Sequence, residues 1–162
     1  MKLDRIDLKI LDILQKDATL AVAVVGERVG LSQTPCWKRI QRLEAQGIIS
    51  RRVALVNAEA IGLRLTAIVA VKFDQHSGDF IDAFRAAVQD FPEILDCFRV
   101  AGETDFILKV VVADMAAYDD FYNKLINTVP IKSVTSHFAM ERVKSTTAVP
   151  LPKASIPASE LV

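Results

Sequence analysis

Residues 29–51, VGLSQTPCWKRIQRLEAQGIISR, combine helix signals with a concentration of positive charge. Gly30 suits the end of one helix, because glycine readily adopts the left-handed conformation that follows a helix C-terminus. Ser32 is a preferred N-cap for the next helix, and Pro35 falls in its first turn, where the missing N–H costs little. We expect this helix to end at Gly47. A helix, a tight glycine-containing turn and a second helix form the layout of a helix-turn-helix motif.

The two sides of this predicted helix differ in chemistry. At about 100° per residue, one side gathers small and apolar residues, namely Cys36, Ile40, Leu43 and Gly47. The other side and its edges present Gln33, Thr34, Trp37, Lys38, Arg39, Gln41 and Arg42. Gln, Lys and Thr side chains contact base edges in the major groove, whereas Arg suits the phosphate backbone. We therefore predict a DNA interface that consists of this side together with Ser32, Arg51 and Arg52.

The formal net charge of zero conceals a division along the 162-residue chain. Residues 1–52 hold ten Lys and Arg against six Asp and Glu, whereas residues 53–162 hold ten against fourteen. A basic block of this kind favours a polyanionic partner without requiring one. The alternative is an ordinary solvated face, with Trp37 packed beneath a neighbouring helix.

Two more helices are predicted before this segment. Residues 3–17, LDRIDLKILDILQKD, carry apolar side chains at helical spacing. Asp4 suits the N-cap of that helix, and Asp7 stands three residues later, in the capping-box position. A shorter helix is expected within residues 19–30, TLAVAVVGERVG.

The rest of the chain predicts a sheet and two helices. A strand that leads into a connection is expected at 53–63, VALVNAEAIGL. The elements expected next are a strand at 64–74, a helix at 77–91, strands at 94–102 and 105–113, a helix at 114–129 and a strand at 131–144. This βαββαβ order is the ferredoxin-like arrangement, an α+β fold with both helices on one face of an antiparallel sheet.

The segment 106–112, FILKVVV, is apolar almost throughout, whereas a strand with one wet face should alternate. Helices cover only one face of the predicted sheet, and a second copy of that sheet is the simplest cover for the other. We therefore predict a homodimer with a two-fold interface. The alternative is a sheet that tolerates some exposed Ile and Val. In a dimer, two recognition helices would read half-sites about 10–10.5 base pairs apart, or a multiple of that spacing.

The loop at 101–106, AGETDF, is a candidate effector site. Gly102 leaves the backbone free to adopt positive φ. Glu103 and Asp105 offer acceptors for an ammonium group, Thr104 offers a hydroxyl, and exposed loop amides would donate to a carboxylate. The loop therefore offers partners for both charged groups of an amino acid. The alternative is an ordinary acidic hairpin turn.

Three stretches together resemble the Lrp/AsnC (leucine-responsive) family of bacterial and archaeal transcription regulators. They are residues 3–17, residues 27–49 and residues 100–110, VAGETDFILKV, and the likeness spans residues 1 to about 150. The pattern S-x-T-P-C-x-x-R-I-x-R-L-E-x-x-G-I-I is specific. The resemblance implies a winged helix-turn-helix DNA-binding domain at 1–52, a strand or linker at 53–63, and a RAM/ACT-like ligand-sensing and dimerisation domain at 64–147.

The resemblance also implies partners and a ligand site. Dimers of this family assemble into octamers, as tetramers of dimers, and wrap double-stranded DNA. The effector is an amino acid, held at the dimer interface beside the loop. Carried over to this chain, the ligand-binding residues are Arg99, Gly102, Glu103, Thr104, Asp105, Ser133, Thr135 and Ser136. Arg99 suits either a ligand carboxylate or an ion pair with Glu103.

The second helix departs from the family pattern, because a run of apolar residues, AVAVVG at 21–26, replaces its usual polar start. Loss of a polar N-cap typically costs about 1 kcal/mol. Gly26 costs roughly another 1 kcal/mol relative to Ala. We expect this helix to fray at its start and to present an unusually apolar surface.

Other residues favour no catalytic or metal chemistry. Cys36 and Cys97 are predicted to be reduced, small apolar residues, and His76 and His137 to be structural or surface residues. The sequence contains no phosphate-binding loop, nucleophile elbow or triad pattern. It also lacks an apolar run of the roughly 18 residues that a membrane span needs, and its N-terminus is charged. We expect a cytoplasmic, nucleoid-associated protein without a cofactor or a membrane partner, and a flexible tail at 148–162.

These observations predict a sequence-specific DNA-binding transcription regulator whose DNA affinity or oligomeric state responds to an amino acid. One alternative is an oligomeric amino-acid-binding module without specific DNA binding, in which the first third of the chain is a helical cap. Another is an enzyme, because ferredoxin-like folds host many chemistries. The absence of nucleophile and metal-ligand patterns argues against the enzyme.

Overall fold

The computed structural model describes residues 3–73, 78–128 and 130–152, with side chains in the helix that begins at Gly78 described from Ile81 onward. The chain divides into two compact units. The first unit combines the chain up to Leu55 with the C-terminal segment from Lys144, and the second unit is Val56–Val143. His76 lies outside the described residues.

Three helices form the first unit, as predicted. They are α1 (Arg5–Leu14), α2 (Val22–Val29) and α3 (Gln33–Ala45). Apolar side chains of all three meet in one core, which includes Ile10, Leu11, Leu14, Val25, Val29, Cys36, Ile40 and Leu43. The predicted buried side of α3 is therefore correct for Cys36, Ile40 and Leu43, whereas Gly47 is exposed beyond the end of the helix.

The start of α1 has the predicted capping box. The Asp7 backbone N–H donates to Oδ1 of Asp4 at 2.8 Å, and the Asp4 backbone N–H donates to Oδ2 of Asp7 at 3.2 Å. Two of the free N–H groups at the helix N-terminus are thereby satisfied. Ser32 occupies the N-cap position of α3, but its side chain makes no capping hydrogen bond. The Ser32 prediction is therefore correct in position and wrong in mechanism.

Helix α2 begins at Val22, and Ala21 in its N-cap position makes no side-chain hydrogen bond, as the missing polar cap predicts.

The tight turn between α2 and α3 explains why residue 26 is a glycine. A Cβ atom on Gly26 would lie 2.8 Å from the Leu31 carbonyl oxygen and 3.3 Å from Cβ of Cys36. Gly26 is therefore required for the close approach of the turn to α2, rather than being only a weak point of the helix.

The second unit is a four-stranded antiparallel sheet with two helices. Its elements are β1 (Leu65–Lys72), α4 (Gly78–Ala87), β2 (Ile94–Arg99), β3 (Phe106–Val112), α5 (Met115–Ile126) and β4 (Ser133–Phe138). The strand order is β2-β3-β1-β4, and every neighbouring pair is antiparallel. The ferredoxin-like prediction is confirmed.

The two faces of this sheet differ sharply. Alternate residues of β1 and β3, together with Phe84 of α4 and Phe121 of α5, form a fully buried core. The opposite face carries Ile68 of β1 and Phe98 of β2, which are 39% and 59% exposed. Phe98 lies beside Ile107 in the register of β2 and β3. We call this second, partly apolar surface the open face of the sheet.

The strand predicted to begin at Val53 is wrong. Residues 51–57 have no regular structure and are exposed, although Val53, Leu55 and Val56 are strongly apolar. A strand needs a neighbour for its backbone hydrogen bonds, and no described strand of this chain pairs with the segment. The wing strand implied by the resemblance is therefore also absent from the part of the chain that the structure describes.

The C-terminal segment is docked on the first unit, where the sequence had predicted a flexible tail from residue 148. The Gln15 side-chain amide binds both backbone polar groups of Val149, and Leu151 packs against the helical core. These contacts hold the segment against α1 at Val149 and Leu151. Residues 153–162 lie outside the described residues.

Candidate DNA interface and effector loop

The polar side of α3 is a continuous exposed surface. Its exposed members are Gln33, Thr34, Trp37, Lys38, Gln41 and Arg42. The Trp37 side chain is half exposed, so it is available at the surface and not enclosed beneath a neighbouring helix.

Arg39 is engaged inside the first unit. Its Nη1 donates to Oδ2 of Asp4 at 2.6 Å and to Oδ1 of Asp7 at 2.8 Å. The hydrogen bond to Asp4, followed by that to Asp7, raises the pKa of the Arg39 guanidinium. Arg39 therefore holds α3 against α1 through two carboxylates, and its contact with a DNA phosphate stays a prediction.

The contact with Arg39 also changes the pKa of Asp4. Partial burial raises the pKa of Asp4, but hydrogen bonds from the Asp7 backbone N–H and the Arg39 side chain outweigh that effect. The net pKa of the Asp4 carboxyl is therefore lower than its ordinary value of 3.8. Asp4 is stabilised as a carboxylate in the folded protein.

The end of α3 is organised by Glu44. This carboxylate accepts a hydrogen bond from Gln41 at 2.9 Å and pairs with Nη2 of Arg52 at 2.8 Å. Lys38 and Arg51 are exposed and have no ion pair within the part of the chain that the structure describes. Of the predicted cations, Lys38 and Arg51 are therefore the ones left free for an external anion.

The candidate effector loop follows β2. Gly102 has φ of 138°, which favours glycine, and Glu103 is exposed while Thr104 is half-buried. Arg99 is exposed at the end of β2 and makes no ion pair with Glu103. The alternative role of Arg99, an ion pair with Glu103, is therefore not observed.

Asp105 holds the loop in place. Its carboxylate accepts a hydrogen bond from the Phe73 backbone N–H at 2.8 Å, and its own N–H donates to the Val71 carbonyl oxygen at 2.9 Å. These bonds attach the loop to the end of β1. One oxygen of the Asp105 carboxylate is therefore used by the backbone that follows β1, and its contact with a ligand stays a prediction.

The three predicted residues of β4 do not share a face. Ser133 and Thr135 lie opposite Lys72 and Ala70 of β1, on the open face of the sheet. The Ser136 hydroxyl instead bonds the Tyr118 hydroxyl of α5, on the helix-covered face. Strand alternation separates Ser136 from the other two, so the three predicted ligand residues of β4 are not brought together on one face.

The sequence predicts reduced cysteines and a structural or surface role for His137. Cys36 and Cys97 are free thiols, and burial raises the pKa of each. His137 is exposed on β4.

Sequence reasoning missed the ion pairs of Asp7 with Arg39 and Arg42 of α3. It also missed the contacts of Glu44 with Gln41 and Arg52. Asp7 carried a signal, because Asp is an unusual choice where a capping box prefers Glu.

No group of three or more metal-ligating side chains occurs among residues 3–73, 78–128 and 130–152. Within the same ranges, no helix has the length and apolar character needed to cross a membrane.

Comparisons with known proteins match both units. An AsnC-type helix-turn-helix domain model matches residues 3–44, and an Lrp/AsnC ligand binding domain model matches residues 66–149. The "DNA-binding transcriptional activator DecR" of Escherichia coli strain K12 is 49% identical over 150 residues, which cover 92% of this chain and 99% of that protein.

Two solved structures share the fold. An AsnC family transcriptional regulator from Agrobacterium tumefaciens has a TM-score of 0.88 and 47% identity, covering 91% of this chain and 97% of that one. A transcriptional regulator from Neisseria meningitidis, solved in complex with L-Met, has a TM-score of 0.88 and 35% identity over 92% of this chain and 97% of that one.

Proposed function

Because the chain belongs to the Lrp/AsnC family of DNA-binding transcriptional regulators, we propose that α3 is its DNA-reading element and that an amino acid modulates its DNA affinity. Its relatives are transcriptional regulators and not enzymes, which removes the enzyme alternative. The single observation that supports the proposal best is the exposed polar side of α3 beside two cations that have no acidic partner among the described residues.

The proposed DNA contact divides by chemistry. In this proposal Gln41 and Lys38 contact base edges, and Arg51 contacts phosphates. Arg42 joins them from the edge of the same side. Arg52 and Gln41 also contact the DNA in this proposal. Their hydrogen bonds to Glu44 restrain both side chains beforehand.

The open face of the sheet is the proposed dimer interface. Ile68 and Phe98 expose apolar surface there, next to the Lys109–Asp96 ion pair at 3.6 Å. A two-fold pairing of this face buries the apolar side chains of both copies. Two recognition helices would then address two half-sites. The octamer of four dimers that the resemblance implies is part of the same proposal.

The proposed effector is an amino acid at the loop after β2. Arg99 suits the carboxylate, Glu103 suits the ammonium group, and the Gly102 and Thr104 region offers backbone amides and a hydroxyl. Ser133 and Thr135 on the open face supply further hydroxyls from a neighbouring copy. The Neisseria regulator, whose structure contains L-Met, supports this class of ligand. A useful switch requires about 1–3 kcal/mol of coupling between ligand and DNA.

The DNA contact is tested by fluorescence anisotropy with a duplex from upstream of the protein's own gene, at several salt concentrations. We expect tight binding that weakens steeply with salt, because each phosphate contact releases counterions. Lys38→Ala and Arg51→Ala should each weaken binding, and Arg51→Ala should reduce the salt slope by about 1. Binding that equals that of a scrambled duplex would favour the amino-acid module without specific DNA binding.

The dimer is tested by sedimentation of the wild type and Phe98→Asp. A buried charge without a partner is costly, so Phe98→Asp should shift the protein toward monomers. Met115→Asp is the matched control, because Met115 is similarly exposed on α5, away from the open face. An unchanged mass for Phe98→Asp would contradict the proposed interface.

A further inference from the structure

Asp7 of α1 is a charged side chain buried in the first unit. Its side chain is 2% exposed, and it contacts two arginines of α3 at once. Oδ1 accepts from Nη1 of Arg39 at 2.8 Å, and Oδ2 lies 2.6 Å from Nη2 of Arg42. Oδ2 also accepts the Asp4 backbone N–H. Asp7 therefore joins the N-terminus of α1 to two successive turns of the recognition helix.

The two arginines differ in what they leave available. The Arg39 side chain is 27% exposed and is held by Asp4 as well as Asp7. The Arg42 side chain is 45% exposed, and its contact with Asp7 uses one terminal nitrogen. A guanidinium carries five N–H donors in a rigid fork. Arg42 therefore keeps donors for a second anion while Asp7 holds one end of the fork.

We propose that Asp7 is a positioning residue for DNA binding, which fixes the Arg42 guanidinium at the edge of α3 so that its free N–H groups meet a DNA phosphate. The proposal rests on the proposed function, because it requires α3 to face DNA. An unrestrained Arg loses rotamer freedom when it binds, whereas a fork held at one end loses less. Arg39 neutralises Asp7 from the other side, so the carboxylate keeps a partner when Arg42 contacts a phosphate.

The alternative role for Asp7 is purely structural, through the capping box and the ion pair with Arg39 that joins α1 to α3. A loss of DNA affinity in a single Asp7 variant does not separate the two roles. Replacement of the carboxylate by an amide also removes one negative charge near the DNA, which favours binding of any sequence. The coupling between Asp7 and Arg42 separates them, because a structural role affects binding equally whichever residue stands at position 42.

The experiment is a double-mutant cycle on DNA affinity with Asp7→Asn, Arg42→Ala and the double variant, read by anisotropy on the upstream duplex. We expect Arg42→Ala to weaken binding by about tenfold in the wild type and by less than about threefold in the Asp7→Asn background. Asn keeps an oxygen acceptor for the capping box. Additive effects in the cycle would overturn the positioning role.

Asp4→Asn provides the matched control, since Asp4 contacts Arg39 and makes no ion pair with Arg42. The cycle between Asp4→Asn and Arg42→Ala should be additive within about twofold. Thermal unfolding of each variant identifies any that is not folded. Should Asp7→Asn not fold, Arg42→Lys carries the test, because an ammonium group does not present a planar fork.

Arg42→Lys is expected to lose most of the affinity that Arg42→Ala loses, at unchanged thermal stability. Full retention of affinity by Arg42→Lys would contradict a fork shared between Asp7 and a phosphate. An Arg42→Ala variant that binds like the wild type would also overturn the inference, while leaving the DNA contact of Lys38 and Arg51 intact. Failure of the wild type to bind the duplex would instead refute the proposed function.

Discussion

The Gln15 side-chain amide and the Val149 backbone form two hydrogen bonds, from Gln15 Nε2 to the Val149 oxygen at 3.2 Å and from the Val149 N–H to Gln15 Oε1 at 3.1 Å. A primary amide presents its donor and acceptor side by side, as a neighbouring strand would. This pair anchors the C-terminal segment to α1, 134 residues away along the chain.

Gln15→Ala should therefore destabilise the first unit by about 1 kcal/mol, the typical net value of such hydrogen bonds. It should also expose the Val149 amide to hydrogen exchange. Urea unfolding and exchange by mass spectrometry measure the two effects. Gln46→Ala is the control, because Gln46 is an exposed glutamine of the same unit. Equal protection of the C-terminal segment in wild type and Gln15→Ala would contradict the anchor.

Gly26→Ala should destabilise the protein, although Ala is the better helix former. The new Cβ would lie 2.8 Å from the Leu31 carbonyl oxygen, and a backbone atom there has little room to move. We expect a loss of about 1–3 kcal/mol, typical of overpacking, measured by chemical denaturation. Glu27→Ala, at an exposed position of the same helix, should change stability by less than about 0.5 kcal/mol. Stabilisation by Gly26→Ala would show that the turn relaxes freely.

The contact of Asp4 with Arg39 should make stability depend on pH. The folded-state pKa of Asp4 lies below its ordinary value of 3.8. The stabilisation is therefore fully present above pH 3.8 and is lost as the pH falls further, through the folded-state pKa. The gap in unfolding free energy between the wild type and Asp4→Asn should be constant at neutral pH and narrow below 3.8. A gap that stays constant into that acidic range would contradict the assigned contact.

Substitutions of Asp105 and Glu103 should have different effects, the first on stability and the second on ligand binding. Asp105→Ala leaves the Phe73 N–H without its partner, which should cost about 1–3 kcal/mol of stability. Glu103→Gln, at an exposed position, should leave stability unchanged and weaken amino-acid binding by about tenfold. Thermal unfolding and calorimetry measure the two quantities. Tight ligand binding by Glu103→Gln would remove Glu103 from the proposed site.

Periodicity made much of this fold predictable. The spacing of Cys36, Ile40 and Leu43 identified the buried side of α3, and the buried residues of β1 follow the alternation expected of a strand. Both signals are local, because a residue's face follows from its position in the repeat. The same alternation separates Ser136 from Thr135, and its consistent use would have assigned Ser136 to the helix-covered face.

The features that sequence reasoning missed are contacts between residues distant in sequence. Arg39 pairs with Asp4 and Asp7 at the start of another helix, which the sequence around Arg39 does not indicate. The apolar residues of 53–56 have strand propensity but no strand neighbour in this chain. The docked C-terminal segment depends on Gln15, which no pattern near Val149 indicates. In each case the structure depends on a contact, or on the lack of one, with residues far away in the sequence.

The coupling between amino-acid binding and DNA binding is the central claim, and one measurement tests it most directly. The anisotropy titration of the upstream duplex is repeated with and without a mixture of the twenty amino acids at fixed salt. The proposal predicts a shift in DNA affinity of about 5–150-fold that requires about tenfold more of the mixture in Glu103→Gln. An identical titration with and without the mixture, for a protein that binds the duplex specifically, would contradict an amino-acid-responsive regulator.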